Sequence, residues 1–118
     1  MSIKATLSKD QLLTQFESAD FVLKTQVQVS KDFNQFSIDF TEKFNSTALS
    51  LEDILLIIEQ KLAELLQFGE HTLLNYLYQV DIPEKQFVLL LNDNLFLPKM
   101  SEIILKREAY KVYLRSKY

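Results

Sequence analysis

Cysteine is missing from this 118-residue chain. Its absence rules out disulfides, thiolate nucleophiles and cysteine-ligated metal sites, and it fits a reducing, cytoplasmic setting. Glycine occurs once and proline twice. Tight hairpins draw on glycine for positive φ, so a many-stranded protein would be hard to turn with this composition. The same scarcity excludes the glycine-rich loops that bring a backbone against phosphate. Long apolar runs are also lacking. The densest, Ile54-Leu55-Leu56-Ile57-Ile58, ends at Glu59-Gln60-Lys61, far short of the ~20 residues of a membrane helix. The opening Met1-Ser2-Ile3-Lys4-Ala5-Thr6 leads into polar Ser8-Lys9-Asp10-Gln11 and does not read as a signal peptide. No membrane association is expected.

What is present is an ordinary globular balance, 47% hydrophobic and 25% charged. That apolar fraction is enough for a core, and the length fits one domain over residues 1–118. Formal net charge is −3, but it is unevenly spread. Between Lys99 and Tyr118 six basic residues face two acidic ones, an excess of four positive charges that leaves the rest of the chain at −7. The C-terminal segment is thus the electrostatically distinct part.

Apolar spacing points to an all-α bundle of four or five amphipathic helices. A first helix is expected from Ser8, with Gln11 at capping-box spacing and Leu12, Leu13 and Phe16 on one face. Residues 21–40 admit two readings. Phe21, Leu23, Val27 and Val29, and then Phe36, Ile38 and Phe40, alternate as in a β-hairpin. Val22, Val29, Phe33, Phe36, Phe40 and Phe44 also fall on one helical stripe. The helix, from about Asp20 to Phe36, is preferred because the hairpin lacks a turn glycine. Ser50 and Asp53 begin the next helix, with Leu51, Leu55, Ile58, Leu62 and Leu65 at three- and four-residue spacing. Gly69 stands where a left-handed helix stop is expected. A short helix carries Leu73, Leu74, Leu77 and Val80. Asp81-Ile82-Pro83-Glu84 then separates it from another whose apolar side is Phe87, Val88, Leu90 and Leu91, with Asp81 as the expected cap. Asn92-Asp93-Asn94 breaks that helix and Pro98 opens the last one.

No constellation completes a catalytic, metal or cofactor site, so a non-enzymatic protein without cofactor or small-molecule substrate is expected. His71, the single histidine, has Phe68 rather than a carboxylate three residues before it, so the Glu-x-x-His pattern of di-iron bundles is absent. Glu52, Glu59, Gln60 and Gln67 lie opposite an apolar stripe and read as a solvated face. Phe16, Phe33, Phe36, Phe40 and Phe44 read as core.

The last helix is the informative one. At ~100° per residue, Leu105, Ala109, Val112 and Tyr113 share a side that should face the core. Met100, Ile103, Ile104, Tyr110 and Leu114 lie opposite, with Arg107 and Lys111 among them. A helix apolar on two sides is either sandwiched or docks a partner. Tyrosine, arginine and aliphatic residues together are the composition of interfaces. The expected interaction residues are Met100, Ile103, Arg107, Tyr110, Lys111 and Leu114, and the expected function is a protein-interaction module, with a homodimer as its simplest form. The competing reading is nucleic-acid or polyanion binding through Lys106, Arg107, Lys111 and Arg115.

The segment Leu73-Leu74-Asn75-Tyr76-Leu77-Tyr78-Gln79-Val80-Asp81-Ile82-Pro83-Glu84 resembles stretches of small uncharacterised helical proteins of Bacteroidetes. Ile104-Leu105-Lys106-Arg107-Glu108-Ala109-Tyr110-Lys111-Val112-Tyr113-Leu114-Arg115 is similar to their C-terminal helix. The resemblance covers about the second half of the chain and implies a helical fold, with no activity attached.

Overall fold

The computed structural model describes Thr14 and residues 16–117, apart from the Lys117 side chain. The helix expected from Ser8, with Gln11, Leu12 and Leu13, falls outside these residues. Phe16 is described, and its ring meets Phe21 edge-on at 5.7 Å.

Five helices make up the regular structure, with no strand among the described residues: α1 (Ala19–Asn34), α2 (Leu51–Leu66), α3 (Glu70–Gln79), α4 (Glu84–Leu90) and α5 (Phe96–Lys117). The fold is all-α. The hairpin alternative for residues 21–40 is excluded, because most of that stretch is α1. Ser18 caps α1, its Oγ accepting from the Phe21 amide at 3.2 Å. Ser50 caps α2 in the same way, accepting from Asp53 at 3.1 Å. Each cap satisfies one of the amides a helix start leaves unpaired.

The helix stops show how the chain turns with so little glycine. After α1, the Ile38 amide reaches back to the Phe33 carbonyl and the Ser37 amide to the Asn34 carbonyl. After α3, the Ile82 amide reaches Leu77 and the Asp81 amide reaches Tyr78. Both are Schellman stops, whose pivot residue must be left-handed. The pivots are Ser37 (φ 65°) and Asp81 (φ 63°). Ile38 and Ile82, just beyond, are buried with Phe33 and Leu77 and lock the two turns into the core. Asp81 therefore ends α3 instead of capping α4 as expected. Pro83 occupies the position before α4 and makes no side-chain cap. Gly69 also differs from expectation. Its φ of 104° and ψ of 163° lie in a glycine-specific extended region, not the left-handed helical one, and it joins α2 directly to α3. A left-handed non-glycine residue costs roughly 1–2 kcal/mol, partly offset by its smaller unfolded-state entropy. Ser37→Gly is therefore expected to raise stability by up to about 1 kcal/mol, read from the urea midpoint; an unchanged or lower midpoint would contradict this account of the turn.

Residues 35–50 lack regular structure but are pinned by one buried side chain. Gln26 on α1 donates to the Phe44 carbonyl (2.7 Å) and the Thr47 carbonyl (2.9 Å), and accepts from the Leu49 amide (2.8 Å). All three partners are backbone groups that would otherwise lack one inside the protein. Phe33, Phe40 and Phe44 pack ring to ring below this clamp, as the phenylalanine spacing implied.

The long α5 forms the spine. It packs against α2 on one side and α1 on the other, with α4 at its N-terminal end. Its buried residues (Met100, Ser101, Ile104, Leu105, Glu108, Ala109 and Val112) cover about half the helix circumference at ~100° per residue.

Candidate functional site

The middle of that buried arc is a carboxylic acid. Glu108 has Ile104 and Leu105 one turn before it, Val112 one turn after, and no exposed surface. Opposite it on α1 lies Asp32, also buried. Lys111, one turn after Glu108 on α5, reaches between them. Its Nζ lies 2.9 Å from Asp32 Oδ2 and 3.1 Å from Glu108 Oε1. The first contact is a hydrogen bond. The second is a charge contact without hydrogen-bond alignment, since neither Glu108 oxygen has a hydrogen-bond partner of good geometry. Gln28 Nε2 donates to Asp32 Oδ1 at 3.1 Å, and Arg115 donates to Gln28 Oε1.

These contacts decide where the proton sits. Burial, then the neighbouring Asp32 carboxylate, push Glu108 up from its ordinary 4.5 to about 9. Burial also pushes Asp32 upward. The neighbouring Glu108 and the hydrogen bonds from Lys111 and Gln28 outweigh this and hold it below its ordinary range. At neutral pH Glu108 is the protonated partner beside an ionised Asp32, whose charge Lys111 balances. Two like charges in one dry site cannot both be sustained. Tyr76, stacked on Phe33 at 4.4 Å, is fully buried, and its hydroxyl has no hydrogen-bond partner. Burial and the negative charge of Glu108 and Asp32 raise its pKa further. Ser101 Oγ, two turns before Glu108 on α5, is likewise buried without a partner.

The residues singled out on α5 are dispersed by the fold. Met100 is fully buried, as is Ile104 beside it, so neither belongs to an exposed flank as expected. The reason is that α5 lies between α1 and α2, which cover this side from both directions. Lys111 turns inward to Asp32. Arg107 donates through Nε to the Val80 carbonyl (3.2 Å) and through Nη2 to Asp81 (3.1 Å), and so braces the α3 stop. Ile103 and Tyr110 are half-buried and packed against the two apolar clusters. Leu114 is also half-buried. The four cations of the polyanion reading all have partners within the chain: Lys106 with Glu102, Arg107 with Asp81, Lys111 with Asp32, and Arg115 with Gln28.

The exposed apolar surface lies elsewhere. Along α4, Phe87 is buried, but Val88, Leu89 and Leu91 are 58%, 71% and 48% exposed, and Leu95 in the following turn is 52% exposed. The expected apolar side of α4 is thus split. Phe87 goes inward, with its ring against Phe96 at 5.9 Å. Leu90 is half-buried. The others face outward, while α3 and α5 pack against α4. The turn itself is firm. Asp93 accepts from the Leu95 amide (2.7 Å) and Lys99 Nζ (2.7 Å). The sequence signal for this surface was Val88-Leu89-Leu90-Leu91, a run too continuous for one helix face.

His71 is exposed, and no group of three or more metal-ligating side chains occurs among the described residues. No helix among them is long and apolar enough to cross a membrane. Compared with family models, curated proteins and solved structures, the chain matches none.

Proposed function

We propose that this protein is a non-catalytic interaction module that pairs with a second copy of itself through the outer surface of α4 and the turn after it. The observation that carries this reading is four exposed aliphatic side chains, Val88, Leu89, Leu91 and Leu95, within eight residues. Clustered apolar exposure of this kind favours a partner, because covering it removes ordered water without separating charges. The occupant follows from the rim. Glu84 and Lys85, exposed at the start of α4, supply both signs beside these aliphatic residues. A two-fold axis lets such a surface meet its own copy with opposite charges facing. The half-buried strip of Ile103, Tyr110 and Leu114 is a second, smaller candidate. Arg107 and Lys111, committed to Asp81 and Asp32, argue against nucleic acid.

Sedimentation equilibrium tests the proposal. The wild type is expected at twice the chain mass at micromolar concentration. Leu89→Asp is expected to weaken association at least about tenfold, since burying an uncompensated charge costs several kcal/mol. Its helical circular dichroism should be unchanged, because Leu89 makes little contact with the core. Tyr110→Asp separates the two surfaces: it should leave the mass unchanged. A wild type that stays monomeric at high micromolar concentration ends the self-association reading.

A further inference from the structure

A second feature lies on the opposite side of the spine from α2. Asp32 meets Lys111 and Gln28 meets Arg115, so α1 and the end of α5 run antiparallel. Between them opens a groove of about 500 Å³, within the range of small-molecule sites. Its α1 wall is one stripe at three- and four-residue spacing, from Asp20 to Lys31. Its floor is apolar: Leu23, Val27 and Val112. Val27 is 42% exposed although it sits mid-helix.

The groove's polarity is asymmetric. Near the start of α1, Asp20 and Lys24 neutralise each other at 3.1 Å. Further along stand Arg115, level with Gln28, and Lys31 one turn beyond it, with no carboxylate beside them among the described lining residues. Lys31 makes no ion pair among the described residues. Arg115 is held in place: Gln28 binds it, Asp32 fixes Gln28, and Lys111 fixes Asp32. A buried polar chain thus orients a guanidinium at the rim of an apolar trough. Such support from behind is how binding groups are kept in one geometry.

We infer that this groove binds a small amphiphilic anion of the medium-chain acyl carboxylate class, with its tail on Leu23 and Val27 and its head on Lys31 and Arg115. From Leu23 to Lys31 the helix rises about 12 Å at 1.5 Å per residue, comparable with the reach of a ten-carbon chain. The neutral end accepts the tail, and the positive end accepts a planar carboxylate in the paired geometry that guanidinium favours. This site is separate from the α4 surface and does not depend on self-association.

Nitrogen–proton correlation spectra of the full chain, titrated with decanoate, acetate and decyltrimethylammonium, provide the test. Decanoate is expected to bind below about 1 mM and to shift amides of residues 23–31 and 112–116. Acetate, a head without a tail, and the ammonium, a tail with the wrong head, should leave those amides in place. Arg115→Gln should weaken decanoate at least about tenfold, as expected for a lost hydrogen bond to a charged group. Val27→Glu, at a position exposed enough to accept it, should abolish binding. Equal shifts with the ammonium, decanoate shifts scattered over the surface, or unchanged affinity in Arg115→Gln would each overturn the assignment.

Discussion

Replacing Glu108 with glutamine is expected to stabilise the protein at neutral and alkaline pH and to flatten its pH dependence. The folded value of about 9 lies above the ordinary 4.5, so between these limits the folded chain holds a proton that the unfolded chain has released. Stability then falls as pH rises, by up to about 1.4 kcal/mol per unit. Glu108's contribution is intact below its unfolded value and is lost progressively until the folded value is passed. Asp32 works in the opposite sense. Its folded pKa is depressed, so its contribution is present above the ordinary 3.8 and is lost as pH falls through the folded value. Stability should therefore peak on the acid side of neutrality. Glutamine at position 108 reproduces the neutral, protonated acid, and nothing titrates. A gain of up to about 5 kcal/mol is expected at about pH 8, measured by urea unfolding at about pH 5, 7 and 8.5. Parallel pH profiles for wild type and variant would mean that Glu108 does not hold this proton.

Much of the fold was legible because it depends on local spacing. Of the stripe expected in α2, Ile58, Leu62 and Leu65 are buried, joined by Ile54, while Leu51 and Leu55 are half-buried. Ser50 caps through a contact three residues away, which is local as well. The two readings of residues 21–40 separated on the missing turn glycine, and Ser37 shows the chain accepting a left-handed residue for a helix stop instead of a hairpin. The candidate sites were less legible, for a different reason. Whether a lysine points outward or inward depends on what arrives opposite it. Asp32, 79 residues before Lys111, comes from another helix. One clue was nonetheless in the sequence. At ~100° per residue, Glu108 falls between Ile104 and Val112 in the arc that Leu105 and Ala109 also occupy. A carboxylate centred on a core face must either keep its proton or find a cation, and Lys111 lies one turn away. The outward face of α4 was hidden differently: its four consecutive aliphatic residues are compatible with burial from every side, and that no element among the described residues covers it is a tertiary fact.

The inward lysine leads to the second large effect. Lys111→Met keeps the aliphatic stem and removes the ammonium that lies 2.9 Å from Asp32 and 3.1 Å from Glu108. Asp32 keeps Gln28 as a donor but loses its counter-charge in a site almost closed to water. Breaking one side of such a pair typically costs 3–5 kcal/mol, because the remaining charge stays buried. Against a total of roughly 5–15 kcal/mol for a domain, the variant should be markedly destabilised near neutrality. Its deficit should shrink as pH falls, since an unpaired Asp32 gains a higher pKa and becomes neutral more readily. Adding Asp32→Asn to Lys111→Met removes the stranded charge, and the double variant should recover most of the loss. A packing defect at position 111 would behave otherwise, with a deficit independent of pH and deepened by the second substitution. Chemical unfolding of the two single variants and the double at two pH values distinguishes the outcomes, and a double variant no more stable than Lys111→Met alone would show that charge burial is not what this lysine relieves.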